Sequence, residues 1–234
     1  MHFHRSLVLI IILAFVSPAF CQFPQKHFDP DSLSPAYFDL LRKEYSHRKT
    51  YPPQFEKQIL LALSYYPELK NIPIRFRTRP QHAPAYTRVT VGGLFEPARK
   101  RHYVITISDS TEEMLMPLLF KNLPFNAQVA VIGHELGHVA DSSTATTFQV
   151  LKHVISSLSA RHIDRFEFNT DAICIAHGLG YQLLAWSSFV RMKMNTVNWD
   201  GPDYAHRPKR HERYMNPPTI LKRISETPLY RGMQ

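Results

Sequence analysis

The stretch VIGHELGHVADSS, residues 131–143, places His134 and His138 four positions apart with Glu135 directly after the first. A helix turns about 100° per residue, so positions i and i+4 share a face with their Cβ atoms about 6 Å apart, and two imidazoles spaced this way can be aimed at one cation. Zinc suits such a pair. It favours imidazole nitrogen at about 2.0–2.1 Å, and in catalytic sites it takes three protein ligands and leaves a position open. Glu135 would then project beside the ion, where its carboxylate could take a proton from a water and pass it to a departing group.

With 13 histidines in 234 residues, the bare H-E-x-x-H pattern arises by chance in about a few per cent of such chains, so its surroundings decide its meaning. They favour a helix. Val129, Ile132, Leu136 and Val139 repeat at helical spacing, no proline interrupts them, and Asn126 stands where a cap belongs. Gly133 and Gly137 each cost an ordinary helix about 1 kcal/mol. A helix that keeps both is expected to have neighbouring chain passing close.

A third ligand is needed. Asp141 and Thr144 stand where a longer H-E-x-x-H-x-x-G-x-x-H pattern would require glycine and histidine, so that ligand set is excluded. The remaining choices are a distant histidine, His153 or His162, giving a three-histidine centre, or a downstream glutamate. The glutamate is favoured, in RFEFNTDAICIAHGLGY, residues 165–181. Glu167 and Asp171 form an i, i+4 like-charge pair that weakens a plain helix by about 0.2–0.5 kcal/mol, and a nearby cation reverses that cost. Glu167 would bind the ion. Asp171, one turn on, would accept a hydrogen bond from His134 or His138 and fix its orientation. Asp141 is a further acceptor on the ligand face, and Cys174 reads as a small buried packing residue.

Around this centre the chain divides by pattern. Residues 1–21, MHFHRSLVLIIILAFVSPAFC, have a basic start, an apolar run and a small-residue break, the layout of a cleavable export signal; the alternative is an N-terminal membrane anchor. Removing this segment leaves Cys174 without an internal partner and takes the formal net charge of +9 to +8. For an exported chain such a charge argues against nucleic acid and for contact with an anionic membrane surface or acidic polypeptides. Residues 22–234 read as a single domain, with a core over 53–194 and a basic C-terminal segment over 200–234. Helices are expected over 38–45, 55–66, 114–123, where Pro117 should kink the helix or end its first piece, 146–159, 163–194 and 217–225, and strands at 72–78, 86–95 and 101–108. The fold class is α+β: mostly helical, with a small three-stranded sheet beside the H-E-x-x-H helix.

H-E-x-x-H followed on a second helix by E-x-x-x-D resembles the gluzincin metallopeptidases, above all the Ste24/HtpX/BepA-like M48 peptidases. NLPFNAQVAVIGHELGHV (122–139) is similar to that family's active-site helix, and EFNTDAICIAHGLGY (167–181) to its third-ligand helix. The resemblance covers mainly residues 101–190. It implies a minimal zincin-like fold, one catalytic zinc held by His134, His138 and Glu167, and Glu135 as the catalytic base. It also implies a polypeptide substrate bound by strand addition to an edge strand, for which HYVITIS (102–108) is the candidate. A hydrogen-bond donor to the developing oxyanion follows from the same resemblance, with Tyr204, His206 and His211 available. YMNPPTILKRI (214–224) is distantly similar to a proline-containing motif of these domains, with Arg223 as the counterpart of a site residue. Only 28 residues separate His138 from Glu167, fewer than these peptidases usually carry, which marks a short, divergent form. The expected activity is that of an exported zinc endopeptidase acting on extended or unfolded proteins. The alternatives are a three-histidine zinc protease and a catalytically inert metal-bound scaffold or binding module at the cell envelope.

Overall fold

The structure, a computed structural model, describes residues 22–90, 92–156, 159–201 and 212–233. The expected leader, residues 1–21, and the candidates Tyr204, His206 and His211 lie outside the described residues.

Helix α1 (Pro35–Tyr45) starts where Ser34 caps it, its hydroxyl accepting from the Tyr37 N–H at 3.2 Å, with Pro35 pre-set for the first turn. After the two-residue strand β1 (Lys49–Thr50) comes α2 (Glu56–Leu63), whose Ile59, Leu60, Leu61, Ala62 and Leu63 are all fully buried. Three strands follow: β2 (Ile74–Arg79), β3 (Ala85–Val89) and β4 (Tyr103–Ser108). The sheet therefore has four strands, one more than the sequence pattern reveals, because β1 is too short to carry an alternation of its own. Their order is β1-β2-β4-β3, with β1, β2 and β4 parallel and β3 antiparallel to β4.

The order corrects the edge-strand expectation. β4, the strand of HYVITIS, is interior, flanked by β2 and β3, and all six of its residues are buried. Burial on both faces is what its dense Val and Ile content serves. The edges are β1 and β3, and β3 is the one that lines the cavity described below.

The helix expected over 114–123, with a kink or break at Pro117, is two 3₁₀ turns, Glu113–Leu118 and Phe120–Asn122, and Pro117 lies inside the first. Helix α3 (Phe125–Thr144) carries the H-E-x-x-H motif. Asn126 does not cap it. That side chain lies inside the first turn and grips the lead-in segment instead, accepting from the Phe28 N–H and donating to the Phe28 carbonyl, both at 2.9 Å. Val129, Ile132, Leu136 and Val139 on α3 are fully buried, meeting Ile105 and Ile107 of the sheet and Leu60 and Leu63 of α2 in one apolar core.

Helix α4 (Thr147–Ser156) opens with a reciprocal cap: the Thr146 N–H donates to Gln149 Oε1 at 2.7 Å and the Gln149 N–H to Thr146 Oγ1 at 3.2 Å. The long helix expected over 163–194 is two helices, α5 (Ala160–Cys174) and α6 (Gly180–Lys193), joined by a π turn at Ile175–Leu179. Gly178 has φ +96° there, a left-handed conformation that glycine accepts without strain. Helix α7 (Pro217–Glu226) closes the core with Ile220 and Ile224. The run Ala160–Lys193 is long and apolar enough to cross a membrane by length and composition, but half of its most apolar window is buried inside the protein.

Candidate metal centre

α3 and α5 pack side by side, and their glycine and threonine contacts set the spacing. A Cβ at Gly137 would lie 3.0 Å from Thr170 Cγ2 and 3.4 Å from the Thr170 carbonyl; one at Gly133 would lie 2.5 Å from Leu179 Cδ1 and 3.3 Å from Cys174 Sγ. Both glycines thus admit close neighbours, backbone as well as side chain at Gly137 and side chains at Gly133. Cys174 is fully buried at this contact, and burial pushes its thiol well above the usual range.

That approach brings the three proposed ligands together. His134 Nε2 lies 3.0 Å from Glu167 Oε2 and His138 Nε2 lies 3.4 Å from the same oxygen. One ligand atom from each of the three side chains falls within 4.8 Å of the others. A tetrahedral ion with bonds of about 2.1 Å has ligand–ligand edges of about 3.4 Å, so two imidazole nitrogens and a carboxylate oxygen brought this close could hold a metal ion. His162 is not part of this group, and the side chain of His153 lies outside the described residues.

The outward ring nitrogens are already engaged. His134 Nδ1 donates to Asp171 Oδ1 at 2.8 Å, and the other oxygen of Asp171 accepts from the Met215 N–H at 2.8 Å. His138 Nδ1 lies 3.1 Å from Thr170 Oγ1, whose own proton goes to the Phe166 carbonyl at 3.0 Å. With Nδ1 donating in both rings, both Nε2 lone pairs are turned to the shared position. Phe166 stacks on the His138 ring at 4.6 Å between centroids.

Glu135 stands apart from this trio. It is buried, and Thr87 Oγ1 of the edge strand donates to its Oε2 at 2.7 Å. Burial pushes its carboxyl above the usual range, against the opposing pull of His138 and His134. Burial also resists ionisation of Glu167, but His138 and His134 outweigh it and hold that carboxylate well below the usual range. For His134, burial disfavours the cation, while Asp171 and Glu167 more than reverse this.

The trio and Glu135 open into a cavity of about 700 Å³, walled on one side by β3 and on the other by α3 and α4. The Thr90 N–H donates to the His102 carbonyl and the Ser108 N–H to the Pro84 carbonyl, each at 2.9 Å. Together with the β3–β4 register, these bonds put the even-numbered residues in the hydrogen-bonded pairs. The main-chain groups of Ala85, Thr87 and Val89 therefore point away from β4, along the cavity wall.

Two residues of the site were not singled out from the sequence. Thr170 holds His138. Tyr214 lines the cavity with its ring 5.8 Å from that of His134, and burial, reinforced by Glu167, Glu135 and Asp171, keeps its phenol protonated. The signal for Tyr214 was its place one residue before Met215, in the segment fastened to Asp171. Asp141 lines the cavity, whereas Arg223 is exposed on α7 and does not. No protein-family model, no curated protein and no solved structure matches the chain.

Proposed function

We propose that the protein is an exported zinc-dependent endopeptidase of the gluzincin type, similar in its site to the M48 peptidases, acting on extended or unfolded polypeptide. The observation that carries this reading is the convergence of His134, His138 and Glu167 beside a buried glutamate, Glu135, that stays out of the ligand group.

In this reading His134, His138 and Glu167 hold the ion, and Asp171 and Thr170 fix the two rings. When bound, zinc supplies a Lewis acid that polarises the scissile carbonyl and makes water a stronger nucleophile at neutral pH. Glu135 takes the proton of the attacking water and delivers it to the leaving amine; its raised pKa suits that exchange. Thr87 keeps the carboxylate turned toward the cavity. The unpaired main-chain groups of Ala85, Thr87 and Val89 pair with an extended substrate as an added antiparallel or parallel strand. Among the described residues Tyr214 is placed to donate a hydrogen bond to the developing oxyanion, the part the resemblance gives to Tyr204 or His206. The basic surface that follows from the net charge attracts acidic polypeptide and anionic membrane.

The full-length protein is expected to degrade casein, to lose that activity on treatment with a zinc chelator and to regain it on addition of zinc. Activity that survives complete removal of metal rejects a metallopeptidase. Zinc binding without cleavage of casein or of any unfolded protein favours the inert scaffold.

A further inference from the structure

A second feature of the cavity lies away from the ligand trio. Arg101 and Tyr103 continue the alternation of β4, on the same side as Ile105 and Ile107. Arg101 is only 1% exposed. Its Nη1 donates to the carbonyls of Ser142 and Ala145 at 2.9 and 2.7 Å, and its Nη2 to Thr147 Oγ1 at 3.2 Å. It forms no ion pair among the described residues, and its Nε–H has no partner. The carbonyls it meets belong to the C-terminal end of α3, which offers only about half a unit of negative charge. A guanidinium removed from water with no anion to balance it is among the costliest arrangements in a protein interior.

Tyr103 is also 1% exposed and lines the cavity, and its buried hydroxyl has no acceptor for its proton. Burial pushes this phenol up, and the charge of the neighbouring Arg101, with an N–H directed at the phenol oxygen, pulls it back. The same lining carries apolar Val89, Leu94, Val131 and Val150 beside polar Gln149 and the charged Arg88 and Asp141. A cavity wall that combines apolar side chains with a tyrosine whose O–H lacks an acceptor, backed by a buried cation, is suited to a group that is aliphatic along its length and ends in an anionic acceptor.

We propose that the cavity wall at Tyr103 is a subsite for a carboxylate, carried either by an acidic side chain of the polypeptide or by its C-terminal residue. The Tyr103 hydroxyl donates to that carboxylate, and Arg101 supplies the balancing charge. This assignment deepens the peptidase reading and rests on it for the identity of the ligand as polypeptide. The net charge of +9 works in the same direction, since it raises the local concentration of acidic chains.

The test uses zinc-treated full-length protein and a set of alanine-rich peptides in which one position at a time is Glu, Gln, Leu or Lys, each made with a free and an amidated C-terminus. Cleavage is followed with wild type, and binding is measured by fluorescence anisotropy with Glu135→Gln, so that recognition is read whether or not the bond breaks. One Glu register, or the free C-terminus, is expected to be favoured about ten-fold or more over Leu, Lys and Gln or the amide, in line with a charge-assisted hydrogen bond. Amidation identifies which source of carboxylate is used. Tyr103→Phe, which keeps the ring in place, is expected to reduce that ratio to about two-fold or less. Equal treatment of Glu, Gln, Leu and Lys with no effect of amidation, or a preference that Tyr103→Phe leaves unchanged, overturns the subsite. Acid-selective binding without cleavage by wild type upholds the subsite and overturns the peptidase reading instead.

Discussion

Glu135→Gln is expected to lower kcat/KM on an extended peptide by at least about 100-fold, within the 10²–10⁴ range of a lost general base, while zinc content is unchanged. Glutamine has the shape of glutamate and can still accept from Thr87 Oγ1, which donates to Glu135 Oε2 at 2.7 Å. The side chain therefore keeps its place between the edge strand and the cavity. Glu135 also takes no part in the group of His134, His138 and Glu167, so its loss leaves the ligands untouched. What disappears is a carboxylate whose burial raises its affinity for a proton. Cleavage rate and metal content measured on one preparation check both halves: loss of metal would make Glu135 a ligand, and undiminished cleavage would remove it from the chemistry.

Glu167→Ala carries the second large effect, on metal affinity. Its Oε2 lies 3.0 Å from His134 Nε2 and 3.4 Å from His138 Nε2, and it is the one anion in the trio. Two neutral imidazoles that remain hold zinc as a bidentate site without charge neutralisation. The affinity is expected to fall by more than the roughly 10–100-fold typical of losing a partner behind a ligand. Asp171→Ala should fall within that smaller range, because Asp171 touches His134 Nδ1 and the Met215 N–H. Competition with a chromophoric chelator ranks the two variants. A Glu167→Ala protein that keeps the affinity of wild type would point to a three-histidine centre, and equal losses in the two variants would make Glu167 no more than an outer support.

The sequence made the ligand trio legible because each part has a period. H-E-x-x-H and E-x-x-x-D are both one-turn spacings, and a like-charge pair on an amphipathic helix is unfavourable enough to need a reason. Thr170 and Tyr214 carried no such mark: one is a single residue before Asp171, and the other is positioned by a main-chain bond from its neighbour Met215 to that same carboxylate. The existence of β2 and β4 followed from alternation, but that of β1, only two residues long, and the strand order did not. The pairing that leaves β3 at the edge and β4 inside is decided by tertiary packing on both faces of β4, and an apolar run alone fits either place. The break between α5 and α6 was written in Gly178, but a glycine within a helical pattern signals a packing contact as often as a turn. Asn126 misled for a related reason. An asparagine near a helix start is read as a cap, and here it serves the main chain of Phe28, 98 residues away in sequence.

The most direct test of the central claim is native mass spectrometry of the zinc-treated protein, wild type beside a His134→Ala/His138→Ala double variant. One zinc ion per chain in wild type and none in the double variant is the predicted result. A wild-type chain that takes up no zinc, or a double variant that retains it, would contradict a metal centre built on His134, His138 and Glu167.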